Sequence, residues 1–156
     1  MTLSRITVEV VGEQFHALTD DDGAVIAATF GDAPDWDAEP ATDHPVAVAL
    51  RRYAAGDLGA LDEIAVAQTG TPFRAAVWDT LRTIPPGRTI TYTDLAALSG
   101  RPSAVRAAAS GCATNRVPLI VPCHRVVRGD GTLGGYAFGL PLKARLLAHE
   151  AAFAAG

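Results

Sequence analysis

An α+β fold in two unequal halves is the expectation, and three features of the sequence predict it. The N-terminal third holds alternating, β-branched segments broken by turn residues. From residue 73 onward the apolar positions recur instead at helical spacing, punctuated by Gly and Pro. The charge also changes sign along the chain. Residues 1–70 carry three arginines against thirteen carboxylates, and residues 71–156 carry ten basic side chains against four acidic ones. The boundary is placed there, giving units 1–70 and 71–156. The formal net charge of −4 therefore hides a basic half able to face phosphates.

In the first unit, Arg5 to Val11 reads as a strand, Gln14 to Leu18 as a second and Ala24 to Phe30 as a third, with a turn at Asp20-Asp21-Asp22-Gly23. The acidic stretch 31–45 contains Pro34, Pro40 and Pro45 and reads as a loop. Ala47 to Ala55 reads as a helix stopped by Gly56, and a polar connection leads to Gly70-Thr71-Pro72. In the second unit, Phe73, Val77, Leu81 and Ile84 mark a helix that Pro85-Pro86-Gly87 ends. Arg88 to Thr91 is extended and Asp94 to Ser99 is a short helix. Gly100-Arg101-Pro102 makes a turn, and Ser103 caps a helix reaching Ala113. Helix, short turn and helix form a helix-turn-helix pattern. The last helix of the pair is built almost wholly of small residues, among them Ala107, Ser110 and Gly111, and can lie close to another surface. In this basic setting a minor groove of DNA is the reading taken, with tight helix packing as the alternative.

The chemistry centres on Cys123. The run Val117 to Pro122 is read as extended and delivers the chain to Cys123-His124-Arg125. An ordinary thiol is only slightly ionised at neutral pH, so a nucleophile needs a base. His124 is adjacent, but neighbours on an extended segment face opposite sides, so a bridging water is expected to connect them. Glu150, within the apolar helix Leu146 to Glu150, is the carboxylate expected to orient that histidine. With only two cysteines, a disulfide scaffold is disfavoured. Cys112, among alanines, reads as a small buried hydrophobe. Zinc on Cys112, Cys123, His124 and His149 is the competing arrangement, although the spacing lacks the usual ligand pairs. No apolar stretch approaches a membrane span and no signal-peptide core follows Arg5, so a cytoplasmic protein is expected.

These residues carry a family resemblance. Pro122-Cys123-His124-Arg125-Val126 is its strongest element. It is preceded by Gly70-Thr71-Pro72-Phe73-Arg74, Val77-Trp78, Ile84-Pro85 with Gly87, Thr91-Tyr92 and Leu95-Ala96. Arg106, Asn115, Gly135-Tyr136 and the tail from Lys143 through Leu146 to Glu150 complete it. Over residues 69–153 the chain resembles the O6-alkylguanine-DNA alkyltransferases. The resemblance implies a ribonuclease-H-like N-terminal sheet domain and a winged-helix-like C-terminal domain. It also implies transfer of an alkyl group from O6 of guanine in duplex DNA to a cysteine, once per molecule and without metal or organic cofactor. On this sequence Cys123 becomes the acceptor, His124 the water-mediated base and Glu150 its orienting group. Asn115 becomes the hinge between recognition helix and active-site turn. Arg106 would enter the base stack as the nucleotide flips out, and Tyr92 would rotate its 3′ phosphate. Tyr136 would meet the flipped base and hydrogen-bond to it. Val126 would line the pocket, while Ala137 stands where a serine is common and leaves only a backbone N–H. Phe138 stands where several relatives carry glycine and narrows the alkyl side. No cysteine precedes Cys112, so the N-terminal zinc site of some relatives is not expected. A monomer is expected. A non-catalytic binder of damaged DNA, a helix-turn-helix transcription factor and a thiol hydrolase remain the rival readings, and O4-alkylthymine stays open as a second substrate.

Overall fold

The structure is a computed structural model, describing residues 2–154; the outermost residues of the two expected units, 1, 155 and 156, lie outside that range. Strands β1 (Ser4–Val10), β2 (Glu13–Thr19) and β3 (Val25–Phe30) form an antiparallel meander. In β1 the alternation seen in the sequence puts Ile6, Val8 and Val10 inward. A short strand β4 (Glu39–Pro40) adds a parallel edge beside β1, giving the order β3-β2-β1-β4. The expected loop 31–45 thus contains a strand. Its proline is tolerated because an edge strand needs no donor on its outer side.

Helix α1 (Pro45–Ala54) packs on β1. Its start is fixed by Pro45 in the first turn and by the His44 ring, which accepts from the Val46 N–H at 3.1 Å. Beyond it, Leu58–Glu63 forms a 3-10 helix that buries Leu58, Ala60 and Leu61. The sequence reading placed only a polar connection there. Leu58, Leu61 and the buried Ile64 recur every third residue, the 3-10 spacing, over too short a stretch to stand out between Gly56, Asp57 and Gly59.

Helix α2 (Pro72–Leu81) is capped by Thr71, whose hydroxyl accepts from the Arg74 N–H at 3.2 Å. Strand β5 (Ile90–Thr91) leads into α3 (Tyr92–Leu98), where Thr91 and Asp94 form a capping box. A tight C-terminal turn follows, with Gly100 at φ +96° and Arg101 N–H bonded to Ala96 O at 3.0 Å. It reverses the chain into α4 (Val105–Ala113), completing a helix-turn-helix. Ser103 is not its cap: Ala104 holds that position and no side chain bonds the first turn. Strand β6 (Val126–Val127) pairs in parallel with β5, and α5 (Leu140–Ala154) closes the chain.

Gly111 shows why α4 is built of small residues. A Cβ there would stand 2.9 Å from Val77 Cγ1, and the Gly111 carbonyl accepts from the Trp78 indole at 3.0 Å. Gly111 is therefore buried against α2 and does not face outward, which corrects its expected place on a nucleic-acid surface. Gly111→Ala should lower stability by about 1–3 kcal/mol through overpacking, measured as a reduced denaturant midpoint with unchanged slope.

The buried apolar residues of both halves join in one cluster, running from Ile6 and Phe15 through Tyr53 and Val77 to Leu146. Polar ties reinforce the junction. Ala28 N–H donates to Arg116 O at 2.8 Å, and Arg82 donates to the carbonyls of Leu61 and Ile64, each at 2.9 Å. Among the described residues no helix is long and apolar enough to cross a membrane.

Candidate active site

Between α4 and the segment Gly135 to Phe138 lies a cavity of about 570 Å³. Of the expected site residues, Cys123, Asn115, Tyr92, Arg106, Tyr136, Ala137 and Phe138 line it. Ala28 from β3 joins them, as do Cys112 and Arg128, which sequence reasoning had not placed there. Ala107 and Ser110 instead border a separate concavity with Arg74 and Arg101, on the other side of α4. Val126 is fully buried in the core, absent from the lining, with its carbonyl engaged by Lys143. Its expected place in the pocket wall is therefore corrected: paired as β6, its side chain turns into the core.

Cys123 opens a 3-10 turn, Cys123–Arg125. The segment before it is not extended as expected. Leu119 adopts φ +70°, and the Val121 N–H reaches back to Val117 O at 2.9 Å. A branched-chain residue in the left-handed region is strained, and Leu119 is held there by complete burial. Asn115 secures this turn. Its Oδ1 accepts from the Val117 N–H and from Gln68 Nε2, both at 3.0 Å, and its Nδ2 donates to Val121 O at 2.9 Å. The same Nδ2 lies 3.4 Å from Cys123 Sγ. The amide orientation follows from these partners, since only Oδ1 can face two donors.

Behind the thiol stands a buried ion cluster. His124 Nε2 lies 2.8 Å from Glu150 Oε2, and both side chains are completely buried. Arg125 clamps the same carboxylate in two-pronged fashion, Nε to Oε1 at 2.8 Å and a terminal nitrogen to Oε2 at 2.9 Å. Tyr53, from α1, donates its hydroxyl to Oε2 at 2.7 Å. Burial pushes the Glu150 carboxyl up, but the hydrogen bonds and charges of His124 and Arg125 outweigh it and hold the group well below the usual carboxylate range. The carboxylate accepts from Nε2, so the imidazole proton sits on Nε2 and Nδ1 carries the lone pair. Burial lowers the His124 pKa below its ordinary value, against the opposing pull of Glu150, so the ring is neutral at neutral pH. Its Nδ1 has no protein partner although it is buried.

Cys123 itself is held protonated. Burial pushes its thiol up, while the Asn115 hydrogen bond and the Lys143 charge work the other way. Lys143 is fully buried. Its ammonium binds the carbonyls of Val126 at 2.7 Å, Gly135 at 3.1 Å and Leu133, tying the 128–139 segment to α5. Cys112 is half-buried on the cavity wall, not in the core as its alanine neighbours suggested, and burial followed by the nearby Cys123 pushes its thiol up to about 12. Among the described residues no group of three His, Cys, Asp or Glu side chains is placed to hold a metal ion. His124 is committed to Glu150, and His149 Nε2 lies 2.9 Å from Tyr53 O.

On the far wall, Phe138 packs edge-on against Tyr136 at 5.6 Å and against Phe30 of β3 at 5.4 Å, and Phe30 in turn meets Phe15 at 4.9 Å. Tyr136 is half-buried, and its hydroxyl is enclosed and has no protein partner.

The model of the 6-O-methylguanine DNA methyltransferase DNA-binding domain matches residues 72–152. The chain belongs to the 6-O-methylguanine DNA methyltransferase family. Within this family it is 58% identical over 82 residues to the bifunctional transcriptional activator/DNA repair enzyme Ada of Escherichia coli, covering 53% of this chain and 23% of Ada. It is 48% identical over 101 residues to the methylated-DNA–protein-cysteine methyltransferase of Shigella flexneri, covering 65% of this chain and 59% of that one. The chain thus spans less than two thirds of these curated relatives. The mixed α/β fold matches a family structure over nearly its whole length. Against the Mycobacterium tuberculosis OGT in complex with DNA, the TM-score is 0.81 at 27% identity, over 96% of this chain and 93% of that one.

Around the Cys123 thiol and its carboxylate, Arg125, Tyr53 and Lys143 join Cys112 and Arg128 as groups to which the sequence assigns no role in the site. The Pro-Cys-His-Arg-Val run contains Arg125, but only the fold shows that its guanidinium turns inward to Glu150.

Proposed function

We propose that this protein repairs DNA by direct transfer of the alkyl group from O6-alkylguanine to Cys123 Sγ, one lesion per molecule. The observation that carries the reading is a cavity holding a protonated thiol and backed by a buried, neutral His124 whose tautomer Glu150 fixes. Nδ1 is the free base, and a buried polar atom of this kind is met by water. That water links Nδ1 to the thiol. In the step, the thiol proton passes through it to His124 as sulfur attacks the alkyl carbon. The S–C bond forms, the C–O6 bond breaks, and its electrons leave O6 as the guanine carbonyl. Guanine gains a proton at N1, which balances the proton lost by sulfur. The thioether formed has no leaving tendency toward water, so the protein is spent.

DNA is the partner. The basic half, the helix-turn-helix and a relative described in complex with DNA support this. Helix α4 enters the minor groove, with Arg106 filling the stack as the damaged nucleotide turns out and Tyr92 handling its phosphate. Tyr136 offers its unpartnered hydroxyl to the flipped base, and the backbone N–H of Ala137 serves where a side-chain hydroxyl is missing. Residues 1–70, read as a ribonuclease-H-like unit, brace the acceptor unit 71–156, whose β5–β6 pair completes a winged-helix-like arrangement. All the named groups come from one chain, and a monomer is sufficient.

Phe138 closes the alkyl side of the cavity. Methyl adducts are therefore expected to react fast and benzyl adducts slowly, measured as rates on O6-methyl- and O6-benzylguanine; equal rates would contradict this role for the ring. The reading as a whole is tested by incubating the protein with a duplex carrying O6-methylguanine and taking its intact mass. A gain of one methylene equivalent per chain is expected. An unchanged mass with retained lesion binding would leave a damage-binding protein instead.

A further inference from the structure

We propose that Tyr53 is a positioning residue for alkyl transfer, setting the proton affinity of His124 through its hydrogen bond to Glu150. The inference rests on the reading of His124 as the base. It goes beyond that reading by assigning part of the site to the first half of the chain, outside the stretch that the family model covers.

Tyr53 is completely buried near the end of α1, and its hydroxyl donates to Glu150 Oε2 at 2.7 Å. That is the same oxygen to which His124 Nε2 is bonded at 2.8 Å. A carboxylate oxygen shared among donors gives each less than it would give one alone, because each partner draws off part of the same negative charge. The stabilisation Glu150 offers a protonated His124 therefore depends on whether the Tyr53 hydroxyl is present. Among the described residues, the other charged groups acting on the pair are held in place. Arg125 is bonded to both carboxylate oxygens, Lys143 to three carbonyls, and Tyr136 and the Cys123 thiol are neutral at neutral pH. Tyr53 stays protonated, since burial and then the adjacent Glu150 charge both push its hydroxyl far up. Its placement is also secured, because His149 Nε2 lies 2.9 Å from its carbonyl and the His149 ring packs edge-on against it at 5.1 Å. The hydroxyl is thus a permanent, rigid donor aimed at the orienting carboxylate.

Removing it concentrates the Glu150 charge on His124. Protonated His124 is then favoured, and the pH below which the base is lost moves up. In full-length Tyr53→Phe, the acid limb of the pH–rate profile should rise by about half a unit, with transfer about threefold slower at the foot of that limb and close to normal near pH 8.5. Replacing Tyr53 by 3-fluorotyrosine keeps the bond but makes the hydroxyl more acidic, and should move the limb the opposite way. The ring 15N titration of His124 in the free protein should follow both shifts without any DNA present. A role in packing alone would instead scale the rate equally at every pH or lower Tm, leaving the limb and the titration in place, and that result would overturn the proposal. Should Tyr53→Phe fail to fold, the fluorinated protein and its titration decide alone. Absence of transfer in the unmodified protein would sink the proposed function, whereas the titration would still report whether Tyr53 acts on His124.

Discussion

Cys123→Ser is expected to lose all measurable alkyl transfer while keeping its fold and its affinity for lesion-bearing DNA. The two side chains are nearly the same size, and the change falls in a cavity wall, not in a packed core. Asn115 Nδ2 can donate to a serine hydroxyl as it does to the thiol, so the turn built on Val121 and Val117 persists. What disappears is reactivity. A hydroxyl is far harder to deprotonate than a thiol, and a neutral imidazole working through water is too weak a base to activate it for displacement at carbon. Intact mass should stay unchanged after incubation with O6-methylguanine DNA, while a binding assay gives an affinity near that of the unmodified protein. A variant that still gained mass would move the acceptor to Cys112, the other thiol on the cavity wall.

Glu150→Gln should be costly in both stability and rate. The carboxylate is completely buried with Arg125 on both oxygens, His124 and Tyr53 on one of them. Taking away its charge leaves a guanidinium buried with only the Ile84 carbonyl, 2.7 Å away, as a further partner. Breaking a buried pair from one side costs about 3–5 kcal/mol. His124 also loses the charge that fixes its tautomer, and transfer should slow by about 10²-fold or more. The pH dependence has a definite sign. The carboxyl of Glu150 is depressed in the folded protein, so its contribution is full above the unfolded value near 4.3 and fades as pH falls below that toward the folded value. Chemical denaturation at a series of pH values should show this loss in the unmodified protein and a flatter profile in Glu150→Gln. Equal slopes for the two would contradict the cluster's role in stability.

The sequence made different parts of the molecule legible to different degrees, for physical reasons. The first strand was readable because Ile6, Val8 and Val10 alternate with exposed neighbours, and α2 because Phe73, Val77 and Leu81 recur at helical spacing, whereas α3 starts at Tyr92, two residues before the Asp94 expected, on the Thr91 cap. The segment before Cys123 reads as extended but folds as a turn, since Val117 to Val121 is apolar throughout and burial on all sides erases any period. The left-handed Leu119 leaves no trace in composition, because a strained residue is held by its surroundings and not by its own preference. At the site, Cys123, His124 and Asn115 lie close together in sequence, and the run Pro122 to Val126 made the first two stand out. Tyr53 lies 97 positions from its carboxylate, in a half where no motif marks it, so only the packing of α1 beside α5 reveals it. Gly111 and Val126 went the other way. Residue type suggested a surface and a pocket, and helix rotation and strand pairing turned both inward.

The contact between Phe30 and Phe138 has a consequence for how the range of repairable lesions can change over evolution. A residue that touches the lesion is constrained by the reaction itself, and most replacements there are lost. Phe30 lies in the outer strand of the meander, one ring removed from the cavity wall, so a smaller side chain there would let Phe138 recline without replacing any residue of the cavity lining. If the cavity takes the adduct as proposed, tolerance for larger ones is thereby open to drift in the sheet, at a position outside the cavity lining.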